Sequence, residues 1–139
     1  MNNPKIGFVG AGNISGDHFI SAKKAGFDLY GICAKNNSVR AKNAKTTYGF
    51  KKYSVDINSL LNSEIEALVI LVPPQEVKKI VYVLQNFKGP ILIEKPGAIS
   101  SSDLREIKSK LKRNKKVMLG YNRRFYDSVI QLKEELKFK

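Results

Sequence analysis

A short β-prone run, Lys5-Ile6-Gly7-Phe8-Val9, ends directly in Gly10-Ala11-Gly12-Asn13-Ile14-Ser15, and no other stretch constrains the chain so tightly. Two glycines one residue apart let the backbone turn sharply and approach a ligand without side-chain interference. A helix-like stretch follows, and backbone N–H groups at a helix N-terminus attract anions. A strand, a glycine turn and a helix in this order form the layout that receives a dinucleotide pyrophosphate. Gly10 then permits the turn, Gly12 admits the pyrophosphate, and Asn13 and Ile14 lead into the helix. Ser15 stands where the third glycine of the G-x-G-x-x-G pattern is usual, with Gly16 behind it, and serine is small enough for close helix–strand packing.

The remainder of the chain alternates strand and helix patterns, which predicts an α/β fold: a doubly wound parallel sheet of about six strands in three α/β/α layers. The periodicity places strands near 5–9, 28–34, 51–54, 67–72, 91–94 and 117–119, the third being weak. Ala67-Leu68-Val69-Ile70-Leu71-Val72 is apolar throughout, as expected of a strand buried on both faces, and Pro73-Pro74 ends it. Helices are predicted near 13–25, 38–48 and 56–62. A further one carries Val77, Ile80, Val81 and Leu84 at i, i+3, i+4, i+7. Ser100-Ser101-Ser102-Asp103 supplies N-cap residues for a helix with Leu104, Ile107 and Leu111 on one face. A last helix over 126–137 aligns Val129, Leu132 and Leu136.

At 139 residues and 42% hydrophobic content, the chain has the size of one globular domain with a core of its own. No apolar run reaches the roughly 20 residues that span a bilayer, and the first residues carry no apolar signal segment, so a cytoplasmic protein without membrane association is expected. One cysteine, Cys33, permits no internal disulfide or cysteine-rich metal site, and no metal is expected. Cys33 reads as a small buried apolar residue. The formal net charge of +13 raises nucleic acid as a partner. However, lysines such as Lys108, Lys110 and Lys112 are dispersed over a predicted helix surface, without aromatic recognition residues among them. A solvated basic face that attracts an anionic cofactor is the better reading.

Two further positions bear on chemistry. NAD-preferring sites usually carry a carboxylate about 20 residues beyond the glycines to hold the ribose 2′-OH. Here the end of the second strand reads Ile32-Cys33-Ala34-Lys35, with a cation suited to a 2′-phosphate, which tilts the expected cofactor from NAD towards NADP. Ile91-Leu92-Ile93 ends in Glu94-Lys95-Pro96, and open α/β sheets bind ligands at the carboxyl ends of their strands. Pro96 restricts Lys95 to extended conformations. An ammonium there could donate to a reacting oxygen and stabilise alkoxide charge.

Gly10-Ala11-Gly12-Asn13-Ile14, Pro73-Pro74, Glu94-Lys95-Pro96 and Gly120-Tyr121-Asn122-Arg123-Arg124-Phe125 together resemble the Gfo/Idh/MocA oxidoreductases, which include glucose–fructose oxidoreductase and inositol 2-dehydrogenase. The resemblance extends from the first strand to the end of the chain. It implies a Rossmann domain over 1–122, a helix over 123–139 leading towards a substrate domain, a nicotinamide cofactor, and redox chemistry at a sugar or cyclitol carbon. It further implies that Lys95 lies beside the nicotinamide and the reacting hydroxyl, that Glu94 helps hold the nicotinamide ribose, and that Pro73, Asn122 and Arg124 contribute to the cofactor site. The pattern departs in two respects. Val77 stands where members often carry histidine, and the second domain with its proton-transferring histidine is not in this chain. The sole histidine, His18, falls on the first helix, where a surface or packing role is expected. The alternative is a non-catalytic nucleotide-binding or assembly module that forms a homodimer through Phe125, Val129, Leu132 and Leu136.

Overall fold

The computed structural model describes residues 3–36, 38–112, 114 and 116–137. Six strands form one sheet: β1 (Lys5–Val9), β2 (Asp28–Cys33), β3 (Lys52–Ser54), β4 (Ala67–Ile70), β5 (Ile91–Ile93) and β6 (Val117–Leu119). Their order is β3-β2-β1-β4-β5-β6, and every pairing is parallel. Between them run α1 (Ser15–Lys24), α2 (Val39–Tyr48), α3 (Ile57–Leu61), α4 (Pro74–Val83) and α5 (Ser101–Lys110), and α6 (Asp127–Leu136) follows β6. The chain builds outward from β1 in one direction and then resumes on its other side at β4. The sheet therefore has a switch point between these strands, where open α/β sheets form a ligand crevice.

The expected doubly wound α/β sheet is thus observed, with element ends that match or shift by at most two residues. The fourth strand stops at Ile70 rather than Val72, although Leu71 N–H still donates to Val9 O at 2.7 Å. The weak third strand is real, with all three residues half-buried, as suits a sheet edge. Helix ends follow local chemistry. Ser38 Oγ accepts from Ala41 N–H, Asp56 accepts from Asn58 and Ser59 N–H, and Ser100 accepts from Asp103 N–H. Gly49 closes α2 in the left-handed conformation, at φ +77°.

The core has two layers because side chains alternate across each strand. Val9, Leu68, Ile70, Ile91 and Ile93 face α3, α4 and α5, where Leu60, Val77, Val81, Leu84, Ile107 and Leu111 meet them. Ile6, Phe8, Leu29, Ile32, Val69 and Leu71 face α1 and α2. Phe19 of α1 anchors this second layer, with ring centroids 4.9 Å from Phe8, 4.9 Å from Phe50 and 5.1 Å from Tyr48, all in edge-on geometry. The α1 face of the β5–β6 end is less covered. Leu92 is half-buried and Met118 is 52% exposed, and no residue of α6 is buried.

Phe19→Ala should lower the unfolding free energy by about 4 kcal/mol, because it removes a buried ring and leaves a cavity. Leu132→Ala, on exposed α6, should change it by less than about 0.5 kcal/mol. Urea titration of both variants followed by circular dichroism measures the contrast.

Candidate functional site

The glycine turn sits at the carboxyl end of β1, directly over the switch point. Gly10 has φ +103°, and a Cβ there would lie 2.7 Å from Leu71 O, so conformation and space both require glycine. Its own N–H donates to Cys33 O at 2.8 Å, which ties the turn to β2. At Gly12 an added Cβ would meet only Leu71 O, at 3.9 Å; that space is the room a ligand needs to reach the backbone. Ser15 locks the turn from the helix side, donating from both its N–H and Oγ to Gly12 O at 3.2 and 2.7 Å. The serine in place of the third glycine is thus small enough to be buried and polar enough to tie the turn. No side chain caps α1. Among the described residues the N–H groups of Ala11, Gly12 and Asn13 donate to no protein acceptor. An uncapped ten-residue helix with open amides in front of it suits a pyrophosphate.

Two clefts open from this turn. One, of about 530 Å³, runs over the ends of β1 and β2 and is lined by Gly10, Gly12, Lys35, Asp56 and Pro73 among others. Lys35 is exposed, and its carbonyl accepts from Tyr53 Oη at 3.2 Å. Asp56, a carboxylate on this wall, is occupied in capping α3. Cys33 lies beneath the same wall, and burial pushes its thiol up to about 11, with the nearby Asp56 carboxylate adding to the shift. It is a neutral, packed thiol, as its reading from sequence expected.

The other cleft, of about 800 Å³, lies past the end of β5 and is lined by Ile14, His18, Glu94, Lys95 and Asn122 among others. Lys95 is exposed at the strand's carboxyl end and makes no ion pair or hydrogen bond among the described residues. The peptide bond between Lys95 and Pro96 is cis. Glu94 is held more firmly. Its N–H donates to Ile70 O at 2.9 Å, and its Oε2 lies 3.1 Å from His18 Nε2. Gly120 faces that carboxylate, and a Cβ on it would come within 2.9 Å of Oε2.

The nominated residues therefore divide. Gly10, Gly12, Lys35 and Pro73 line the first cleft, and Ile14, Glu94, Lys95 and Asn122 the second. Asn13 lies on the turn between them, where its Oδ1 accepts from Arg40 Nη1 at 2.6 Å. Arg124 lines neither cleft. Its guanidinium donates to Leu119 O at 2.7 Å and Tyr121 O at 2.9 Å and lies against the Tyr121 and Phe125 rings. Val77, at the position often held by histidine, is buried in the core under α4. The surface or packing role expected of His18 gives way to a polar contact with Glu94. Neither that contact nor the Arg40–Asn13 bond had a local signal in the sequence.

Comparison with known proteins supplies the classification. Residues 4–122 match the family described as "Oxidoreductase family, NAD-binding Rossmann fold", Gfo/Idh/MocA. The chain belongs to the Gfo/Idh/MocA oxidoreductase family. No curated protein matches the chain. Solved structures with the same fold include a probable dehydrogenase from Thermotoga maritima, with 24% identity and a TM-score of 0.84 over 96% of this chain and 40% of that one. The apo scyllo-inositol dehydrogenase from Lactobacillus casei has 22% identity and a TM-score of 0.86 over 98% of this chain and 41% of its own. A levoglucosan dehydrogenase in complex with NADH has 20% identity and a TM-score of 0.85 over 97% and 39%. This Gfo/Idh/MocA chain thus spans about two fifths of the length of the structures it resembles, and the matched region is the family's NAD-binding Rossmann domain. No helix of the described residues is long and apolar enough to cross a membrane.

Since the thiolate is the reactive form of cysteine, Cys33 should resist alkylation in the folded chain at neutral pH. Modification should accelerate only as pH approaches about 11, or at once in concentrated urea. Mass spectrometry after timed exposure to iodoacetamide reads this directly.

Proposed function

We propose that this domain binds a nicotinamide dinucleotide across the switch point of its sheet and serves an oxidoreductase acting on a sugar or cyclitol hydroxyl or carbonyl. The carrying observation is the pair of clefts that flank the uncapped start of α1, with the unpaired Lys95 at the end of β5. In this reading the pyrophosphate lies against the open amides of 11–13, the adenosine half runs towards Lys35 and Pro73, and the nicotinamide half runs towards Glu94 and Asn122. The glycine geometry and the donor set both fit such a ligand.

The bound nicotinamide supplies the hydride-accepting or hydride-donating carbon. The chain's own contribution is electrostatic. Lys95 Nζ would donate a hydrogen bond to the reacting oxygen and stabilise its alkoxide charge, which forms as the hydroxyl loses its proton before hydride leaves, or as hydride adds to a carbonyl. Glu94 accepts from the nicotinamide ribose and so sets the distance between the ring and Lys95. Residues 1–122 form the cofactor domain, and 123–139 lead towards a substrate domain that completes the pocket and selects the substrate. Named neighbours include dehydrogenases for scyllo-inositol and levoglucosan, which supports a polyhydroxylated substrate class.

NADP is the preferred cofactor in this proposal. The cleft over β2 presents the Lys35 ammonium, and the two carboxylates lining it are engaged elsewhere, Asp56 in capping α3 and Glu76 of α4 in an ion pair with Lys79. Titration of the chain with NADPH and NADH, read by the fluorescence of the reduced nicotinamide, tests both claims. NADPH should bind more tightly, and Lys35→Ala should weaken NADPH by about five- to tenfold while leaving NADH within about twofold. No binding of either dinucleotide at millimolar concentration removes the cofactor reading. Equal loss for both dinucleotides removes the NADP preference.

A second reading rests on the final helix. Leu132 and Leu136, one turn apart on α6, are 54% and 58% exposed, and Phe125, in the turn before that helix, is 65% exposed; exposed apolar side chains of this kind favour association. A homodimer through α6 would then be the functional form. Multi-angle light scattering at rising concentration decides it: a monomer throughout excludes the dimer, and Leu132→Glu should abolish any dimer that forms.

A further inference from the structure

We propose that His18 is a positioning residue for Glu94, fixing the carboxylate so that its second oxygen is presented to the cofactor cleft. Resting on the cofactor reading above, this adds a residue of α1 to the machinery at the end of β5. The contact is long-range, with 76 residues between the partners. Both side chains are largely withdrawn from solvent, at 20% and 17% exposure, so their hydrogen bond is little weakened by competing water.

The geometry leaves Glu94 few alternatives. Its backbone is pinned to β4 through Ile70 O. Its Oε2 meets the His18 imidazole on one side and the bare Cα of Gly120 on the other, where a methyl group would intrude within 2.9 Å. With Oε2 occupied, Oε1 is left to accept from a ligand hydroxyl. A glutamate otherwise loses rotamer entropy on engaging a ligand. A partner that holds the rotamer beforehand removes part of that cost, which is the meaning of preorganisation here. The contact also links the two halves of the site, because α1 carries the pyrophosphate turn at its start and His18 one turn further on. Asp17, Lys95 and Arg123 line the same cleft, but the imidazole is the group bonded to the Glu94 carboxylate.

His18 is the only histidine, so its imidazole gives a single, unambiguous set of NMR signals. In the chain labelled with ¹⁵N, the Nε2–H signal should be protected from exchange, and Glu94→Ala should abolish that protection while the backbone spectrum stays folded. Identical imidazole signals in the two proteins would overturn the proposal. Dissociation constants for NADH and NADPH then test the consequence. His18→Leu should weaken both by about fivefold. His18→Gln, whose Nε2 donor lies the same number of bonds from Cβ, should restore both to within about twofold of the unaltered chain. A His18→Leu chain that binds as tightly as the unaltered one, or a Gln variant as weak as Leu, overturns positioning. An unaltered chain that binds neither dinucleotide overturns the cofactor reading first and the proposal with it, and is told apart by the intact imidazole signal.

Discussion

The close approach of the Gly10 backbone to the Leu71 carbonyl is the contact on which the rest of the domain depends. It occurs where β1, the central strand, hands over to the two halves of the sheet. Gly10 N–H bonds to Cys33 O on the β2 side, and Val9 O accepts from Leu71 N–H on the β4 side. A side chain at residue 10 would collide with Leu71 O and demand an unfavourable φ as well. With glycine there, both ladders continue to the end of β1 and diverge only beyond it. That divergence makes the crevice, and everything proposed for the cofactor follows from its position.

Much of this architecture is legible in local patterns because burial on two faces leaves a strong signature. Ala67–Ile70 reads as an inner strand since every side chain must be apolar, and the helical spacing of Val77, Val81 and Leu84 reads as a helix since one stripe must face the sheet. Strand order is legible only indirectly, through the preference of βαβ units for parallel pairing and right-handed crossovers. The edge strand β3 is marginal in sequence for the same reason that it is marginal in space: its residues are all half-buried, so selection for apolarity is weak.

The site was legible in part. Glycines demanded by geometry and a lysine between a strand and a proline are conspicuous in any sequence. The polar pairs His18–Glu94 and Arg40–Asn13 are not, because each joins two elements far apart in the chain whose approach depends on the packing of the layer between them. Arg124 shows the same limit from the other side. The resemblance implies a place for it in the cofactor site, while its Nη2 and Nε donate to the Leu119 carbonyl at the end of β6 and the Tyr121 carbonyl just past it. A guanidinium with fixed donor geometry suits several acceptors at once, and carbonyls left open where a strand ends are nearby competitors for it. Sequence shows the donor but not which acceptors reach it first.

The uneven cover of the sheet connects fold to function. The β1–β4 centre is packed on both faces, whereas Leu92 and Met118 on the α1 side of β5–β6 remain partly open, beside the cleft that holds Glu94 and Lys95. The role proposed for Lys95 would benefit from a dry surround, since hydrogen bonds to developing charge strengthen as water is excluded. An open flank cannot provide that alone. The aromatic residues around it, Tyr121, Phe125 and Tyr126, are about half exposed or more, and their rings would form one wall of a closed pocket once a second surface met them. In the proposed cofactor reading the pyrophosphate turn belongs to the rigid centre, whereas Glu94 and Lys95 stand on the open flank. If that reading holds, hydride transfer would require the flank to be sealed whereas the pyrophosphate turn would not, so affinity for a dinucleotide and competence in hydride transfer would be separable.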